Sequence, residues 1–197
     1  MTRRPLYVAS ILAVMTTAVE AHTGIGAISG FGQGFAHPLG GLDHILAMVA
    51  VGLFAINLGG RAMWLVPAAF VAMMAVSGML GIGGVAVPFV EIGIALSVIV
   101  LGLAVALQWS IPISAAMVLV GFFAIFHGHA HGAEMPVSGA GLPYAIGFVS
   151  ATALLHAIGL GFGFVAGAKV KSYFHRVAQI GGGAMALAGV GILTGVL

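Results

Sequence analysis

The residues best suited to chemistry in this chain begin with the segment His37-Pro-Leu-Gly-Gly-Leu-Asp43-His44. Two imidazoles and a carboxylate stand there in front of a long apolar run. An ionisable group in a membrane segment is costly unless it has a partner or a function, and the chain holds only 4 Asp and Glu residues. Imidazole and carboxylate together are typical ligands of a divalent transition metal. Within one helix, His37 and His44 would share a face, because seven residues are close to two full turns. We therefore predict that His37, Asp43 and His44 bind such a cation.

A second histidine group, Phe-His-Gly-His-Ala-His-Gly, is followed closely by Glu134. Its three histidines, His127, His129 and His131, alternate with small residues. At a spacing of four, His127 and His131 share one face of a helix, whereas His129 points elsewhere. A helix that ends here turns the negative end of its dipole toward a cation. We predict all three histidines as metal ligands, and Glu134 either as a ligand or as a solvated loop acid.

Three further residues are candidates, each with a competing explanation. If a signal peptide is removed after Ala21, the α-amine and imidazole of His22 can chelate a metal together; the alternative is a terminus without a fixed role. His156 lies deep in an apolar segment, where it is either a second station on the ion path or a helix–helix hydrogen bond. Glu91 belongs either to the ion path or to the first turn of a helix, where acids are favoured.

Composition limits the metal and excludes several classes of protein. The chain has no cysteine, so disulfides, thiolate sites and thiol nucleophiles are excluded. Imidazole and carboxylate without thiolate suit nickel, cobalt, zinc or copper(II), and the 10 methionines are scattered, as is typical of packing. The chain contains no Gly-x-x-x-x-Gly-Lys-Ser/Thr sequence for a nucleotide. A net charge of +2 is too small to indicate nucleic-acid binding.

The elements that must position these ligands are membrane helices. Hydrophobic residues make up 61% of the chain and charged residues 5%, against about 25% charged in a soluble domain. We predict an all-α polytopic membrane helix bundle. Residues 1–21 are predicted to be a cleavable signal peptide, with a basic start and an apolar core; an uncleaved signal anchor is the alternative. The glycine-rich segment His22–Phe35 is predicted as a loop or a re-entrant piece.

Six segments of near bilayer length then make residues 22–197 one transmembrane domain. Proline stands near the start of several of them, where it is tolerated in a helix. The connections are short, so consecutive helices are predicted to be antiparallel neighbours. The six predicted spans are Pro38–Leu58, Ala62–Ile82, Pro88–Leu107, Pro112–Gly132, Pro143–Ala168 and Phe174–Leu197.

Basic residues in the loops predict the orientation. Arg61 lies between the first two spans, and Lys169, Lys171 and Arg176 lie between the last two. Loops rich in Lys and Arg face the cytoplasm, and an N-terminus outside the cytoplasm puts both basic loops there. The same orientation puts both histidine groups at the outer face of the membrane.

The motifs resemble those of the HupE/UreJ family of nickel (or cobalt) permeases. The family's His, five residues, Asp-His motif matches His37, Asp43 and His44, and its Phe-His-Gly-His-Ala-His-Gly motif with a following Glu matches Phe126–Gly132 and Glu134. The resemblance covers essentially the whole chain. It implies a multi-pass carrier in the bacterial inner membrane, with a periplasmic mature N-terminus, that supplies nickel to hydrogenase or urease, or cobalt for corrinoid synthesis. Ni²⁺ or Co²⁺ is then the transported substrate, and no cofactor is permanently bound.

Two rival functions remain open. In the first, a membrane-embedded metalloenzyme uses the histidines to activate water or oxygen, which also needs a general acid or base and a substrate pocket. In the second, the chain is a metal sensor or the membrane partner of a metallochaperone, but its loops are short for a docking domain. We expect a transporter and not an enzyme, with a divalent ion and the lipid bilayer as its partners. The sequence is also compatible with an oligomer.

Overall fold

The computed structural model describes residues 30–135, 141–169 and 171–197, and side chains between 166 and 174 lie outside its description. The predicted signal peptide and His22 also lie outside the described residues. The described part is all-helical, as predicted, and its helices form one bundle. The seven helices of this part are α1 (Gly30–Gly40), α2 (Leu42–Leu58), α3 (Ala62–Ile82), α4 (Val90–Ala106), α5 (Ile113–Ala133), α6 (Gly141–Lys169) and α7 (Lys171–Leu193).

Four helices are long and apolar enough to cross a membrane, namely α3, α5, most of α6 and most of α7. The pair α1 and α2 meets the same criterion as one span bent by 83°. Helix α4 is apolar but has 17 residues, the lower end of the range of about 17–25 for a membrane helix. The described residues therefore contain four or five candidate spans, as expected of a multi-pass membrane protein, and the predicted number of six is not confirmed.

The predicted start of the first span, at Pro38, is wrong. The helix already begins at Gly30, so part of the segment predicted as a loop or re-entrant piece is helical, and Pro38 lies inside the last turn of α1. The chain then breaks at Gly41, which is extended with φ −103° and ψ 123°. Two consecutive glycines favour a break because each costs about 1 kcal/mol relative to alanine inside a helix. His37 and His44 consequently lie on two different helices and not, as predicted, on one helix face.

Glycines bring the helices close together. Helices α3 and α5 touch at Gly128, where a Cβ atom would overlap the backbone oxygen of Met74. Gly159 and Gly163, two members of a stripe with a period of four residues, face α2, and a Cβ at Gly159 would overlap the backbone oxygen of Val49. Small residues serve this purpose in membrane bundles, where the hydrophobic effect does not drive helices together.

The most extensive helix pairs are not consecutive in the chain. Helix α3 packs mainly against α5, α4 against α7, and α6 against both α1 and α2. The predicted contact between consecutive helices is found for α2 with α3, α4 with α5 and α6 with α7, but not for α3 with α4 or α5 with α6 in the described part of the chain. This arrangement brings the break between α1 and α2 to the C-terminal end of α5, where the second histidine group lies.

Candidate metal centre

The two histidine groups meet in space, as the sequence predicted. His44 Nε2 lies 3.0 Å from His127 Nδ1 and is also in direct contact with His131 Nε2. The three rings pack edge to face, with centroids 4.6 Å apart for His44 and His127 and 4.3 Å apart for His44 and His131. All three side chains are buried. Three ring nitrogens from α2 and α5 therefore converge on one point.

The proton on His44 is placed by its neighbour Asp43. His44 Nδ1 lies 3.1 Å from Asp43 Oδ1, and a carboxylate oxygen can only accept in this contact. The same oxygen accepts a hydrogen bond of 2.9 Å from the backbone N–H of His44. The hydrogen of the ring is therefore on Nδ1, and Nε2 keeps its lone pair. Such an outer carboxylate is the usual way in which a metal-ligating histidine is oriented.

The tautomer of His127 is coupled to Ser97 of α4. Ser97 Oγ lies 2.6 Å from the backbone oxygen of Ile94 and 2.8 Å from His127 Nε2, and its single proton can serve only one of these contacts. When Ser97 donates to Ile94, it accepts from His127 Nε2, and the lone pair of the ring is on Nδ1. When Ser97 donates to His127 Nε2, the ring proton is on Nδ1.

The first tautomer of His127 turns two lone pairs toward each other. The 3.0 Å contact between His44 Nε2 and His127 Nδ1 then holds no proton, and a bound cation would satisfy both nitrogens; in the second tautomer His127 Nδ1 donates to His44 Nε2. Metal–nitrogen bonds of about 2.0–2.1 Å place two ligands at 90–110° around an ion about 2.9–3.4 Å apart. With its proton on Nδ1, His131 adds a third lone pair from Nε2. We call His44, His127 and His131 the buried ligand set.

A second group of ligand atoms lies nearer the surface. His37 Nε2 is 3.3 Å from Glu134 Oε2, and His131 Nδ1 is 3.8 Å from the same oxygen. One ligand atom from each of the three residues lies within 4.8 Å of the others. These atoms border an open cavity of about 600 Å³, which Glu91 also lines. We call His37, Glu134 and His131 the rim ligand set.

His131 belongs to both sets through opposite ring nitrogens. Its Nε2 meets the buried set and its Nδ1 faces Glu134. A neutral imidazole has one lone pair, so His131 can serve only one set at a time. The ring of Phe148 packs against it with centroids 4.3 Å apart. Two ions that both needed His131 would therefore compete for a single ring.

Helix ends add electrostatic support for a cation. Helix α5 ends at Ala133 and α1 ends at Gly40, so the negative ends of two helix dipoles point at the cavity. Helix α2 begins there with its positive end, and Asp43 in its first turn offsets that charge. The sequence predicted the contribution of α5 but not that of α1, because it did not predict the break at Gly41.

The other predicted site residues are placed differently. His129 Nε2 is 2.7 Å from the backbone oxygen of Val85, and the described residues place it in neither ligand set. Glu91 lines the cavity. His156 is buried deeper in the bundle. Metal binding by each predicted ligand stays a prediction.

Sequence reasoning missed two supporting residues. Ser97 orients His127 from another helix, and its only sequence signal is a polar residue in the apolar interior of α4. Phe148 packs on the ring of His131, and nothing distinguishes it from the 11 other phenylalanines of the chain.

The chain is similar to known proteins over most of its length. The chain matches the family model described as "HupE / UreJ protein" over residues 10–192, a range that includes both ligand sets. It is 48% identical to Protein HupE of Rhizobium leguminosarum bv. viciae over 181 residues, which covers 92% of this chain and 93% of that protein. No solved structure matches it.

Proposed function

Because this chain belongs to the HupE/UreJ family, we propose that it is a permease that takes up a divalent transition metal, Ni²⁺ or Co²⁺. The observation that carries the proposal is the convergence of ring nitrogens from His44, His127 and His131 inside a helical bundle, with His44 Nε2 and His127 Nδ1 3.0 Å apart. Neutral imidazoles oriented in this way favour a borderline transition metal over Mg²⁺ or Ca²⁺, which prefer oxygen ligands.

The two ligand sets provide a stepwise entry for the ion. Glu134 and His37 are exposed enough to meet a hydrated ion, and the negative charge of Glu134 attracts it. When the ring nitrogens replace its water ligands one by one, the cost of dehydration is spread over several steps. The ion then moves from the Nδ1 side of His131 to the Nε2 side. Binding must stay weak enough for release, as transport requires.

The membrane arrangement is part of the same proposal. Counting the bent pair α1–α2 as one span and α4 as another gives six spans after a cleaved signal peptide. Arg61 follows α2 at the end remote from the ligand sets, which supports a cytoplasmic location for that end. The ligand sets then open to the periplasm, and the protein supplies nickel or cobalt to the maturation of enzymes such as hydrogenase or urease.

Uptake by the purified protein tests this function against its rivals. Reconstituted into liposomes, the full chain should accumulate radiolabelled Ni²⁺, with Co²⁺ and then Zn²⁺ as added competitors. A metalloenzyme or a metal sensor would bind the ion without moving it. Binding to the vesicles without accumulation inside them would therefore contradict the proposal.

A matched pair of variants links the movement to the site. His44→Ala should abolish uptake because it removes the nitrogen that contacts both other members of the buried set. Arg61→Gln, at the far end of α2, is the control and should leave uptake close to wild type. Each variant must be shown to insert in the liposomes in equal amount. An equal loss in both would mean that the buried set is not the site of transport.

A further inference from the structure

His156 of α6 is a buried imidazole whose ring nitrogens lack partners. Its exposed fraction is 2%, and neither Nδ1 nor Nε2 has a hydrogen-bond partner among the described residues. A neutral imidazole carries one donor and one acceptor, and burying both unpaired is unfavourable. The helix–helix hydrogen bond considered from the sequence is not found within the described part of the chain. The ring therefore has its full bonding capacity available inside the bundle.

An aromatic ring contacts both His156 and the buried ligand set. The ring of Phe70 on α3 meets His156 edge to face, with centroids 5.3 Å apart and an angle of 85°. The centroid of the same ring lies 5.7 Å from that of His127. Phe70 therefore links His156 to the buried ligand set through ring contacts.

A hydroxyl and a thioether share helix faces with the rings of His156 and Phe70. Thr152 Oγ1 is 3.9 Å from Met74 Sδ, and both groups are buried. Thr152 precedes His156 by four residues on α6, and Phe70 precedes Met74 by four residues on α3, so each pair shares a helix face. The face of α6 that carries Thr152 and His156 therefore meets the face of α3 that carries Phe70 and Met74. This arrangement puts a hydroxyl oxygen and a thioether sulfur about one helical turn from His156 at the same helix interface.

The depth of this group follows from the packing of α2 against α6. Gly52 of α2 lies against the backbone oxygen of His156, and it follows His44 by eight residues. At 1.5 Å per residue the backbone of His156 is about 12 Å deeper in the bundle than that of His44. A helical side chain leans toward the N-terminus of its helix, so the His156 ring leans back toward the outer cavity.

We propose that His156, with Thr152 and Met74, forms a second ion station below the buried ligand set, one that takes a divalent metal with affinity for nitrogen and sulfur. This inference rests on the proposed function, since it places the station on the path of the same ion. Passage between the stations requires the Phe70 ring to turn aside. A thioether and an imidazole exclude hard ions such as Mg²⁺ and Mn²⁺, so the inner station adds selectivity that the carboxylate at the rim lacks.

The first test is the number of ions bound by the full chain in detergent. We expect one ion in the outer cavity, held through His131, and one at the inner station, so wild type should bind two equivalents of Ni²⁺ at saturation. His156→Gln should bind one equivalent with unchanged affinity and should lose at least tenfold in uptake. The retained equivalent and an unchanged thermal unfolding midpoint show that this variant is folded. Binding of only one equivalent of Ni²⁺ by wild type, or of two equivalents by His156→Gln, would contradict the proposed inner station.

The second test replaces only the sulfur. Met74→Leu keeps the apolar volume of the side chain and should weaken the second equivalent at least fivefold while leaving the first unchanged. Met185→Leu is the matched control. Met185 lies on α7, a different helix from those that carry Phe70, Met74 and His156, and it packs against the core there. Equal affinities for the second equivalent in these two variants would remove Met74 from the station.

The two proposals fail in distinguishable ways. If His156→Gln binds and transports as wild type does, the inner station is wrong and uptake through the outer sets stands. If wild-type liposomes accumulate no Ni²⁺ but the protein binds two equivalents, the proposed transport function is wrong. The inner station would then be a metal-binding site that does not serve transport.

Discussion

The rim and buried ligand sets share one residue but are built in opposite ways. In the rim set the side chains of Glu134 and His37 are 60% and 39% exposed, and the set includes a carboxylate. In the buried set His44 is 5% and His127 0% exposed, and all its members are imidazoles. Asp43 and Ser97 hold two of them from behind.

The difference follows from the cost of burying charge. A carboxylate in water can attract a cation at little cost, but the same group deep in an apolar bundle is expensive unless it is paired. Neutral imidazoles can be buried, provided that hydrogen bonds fix the ring and the tautomer. The exposed set is thus suited to capture of the ion and the buried set to its dehydration and selection. The following predictions test that division.

The largest effect is expected in the buried set. His127→Ala removes one of the converging ring nitrogens, and the initial rate of Ni²⁺ uptake should fall at least about 100-fold, the upper end of the loss seen when only a supporting residue of a metal site is changed. His129→Ala is the matched control two residues away, since the His129 ring contacts the backbone oxygen of Val85. His129→Ala should keep most of the wild-type initial rate of Ni²⁺ uptake. Similar losses in both variants would argue against a distinct buried set.

The second-largest effect, a loss of Ni²⁺ affinity, is expected from a substitution at the break between α1 and α2. A Cβ atom at Gly41 would lie 2.6 Å from Asp43 Oδ1 and 3.2 Å from His44 Nδ1, so Gly41→Ala should push the carboxylate away from the ring. We expect about a tenfold loss of Ni²⁺ affinity, typical of a disturbed outer partner, measured by equilibrium binding. At Gly40 a Cβ meets nothing within 4 Å, so Gly40→Ala serves as control. An equal loss of Ni²⁺ affinity in Gly40→Ala would mean that the flexibility of the break, and not the position of Asp43, determines the affinity.

The rim set should affect capture more than turnover. Glu134→Gln removes a negative charge from the exposed cavity, and the KM for Ni²⁺ uptake should rise about tenfold, the lower range of electrostatic steering, with a nearly unchanged maximal rate. Wild-type uptake at low metal should also decline with added salt, because salt screens exposed charges. Ni²⁺ uptake by Glu134→Gln should decline less with added salt than wild-type uptake does. A lower maximal rate with an unchanged KM would place Glu134 in a later step.

The smallest effect is expected from the residue behind His127. Ser97→Ala removes the hydroxyl that contacts His127 Nε2, so the tautomer and orientation of the ring are no longer coupled to that hydroxyl. Ni²⁺ affinity should fall by about threefold to tenfold, at or below the lower end of outer-partner effects. Ser150→Ala is the control, since the Ser150 hydroxyl donates to the Ile146 oxygen of its own helix. An unchanged affinity in Ser97→Ala would mean that packing alone orients His127.

Local periodicity explains what was predictable in the site. His127 and His131 share a face because they are four residues apart on one continuous helix, and the structure places them so. The same reasoning failed for His37 and His44 because it assumed a continuous helix through Gly40 and Gly41. Whether two glycines break a helix depends on what packs around them, and α1 packs on α6, which is more than 100 residues later in the chain.

By itself the sequence determined that this is a helical membrane protein with two histidine groups and no thiolate, because composition and short-range spacing decide those properties. Only the tertiary structure decided that the candidate ligands divide into an exposed and a buried set, and which side chains stand behind His44 and His127. Those properties depend on contacts between helices that are not consecutive, such as Ser97 of α4 with His127 of α5 and His44 of α2 with His131 of α5. Such contacts leave no periodic pattern in the sequence.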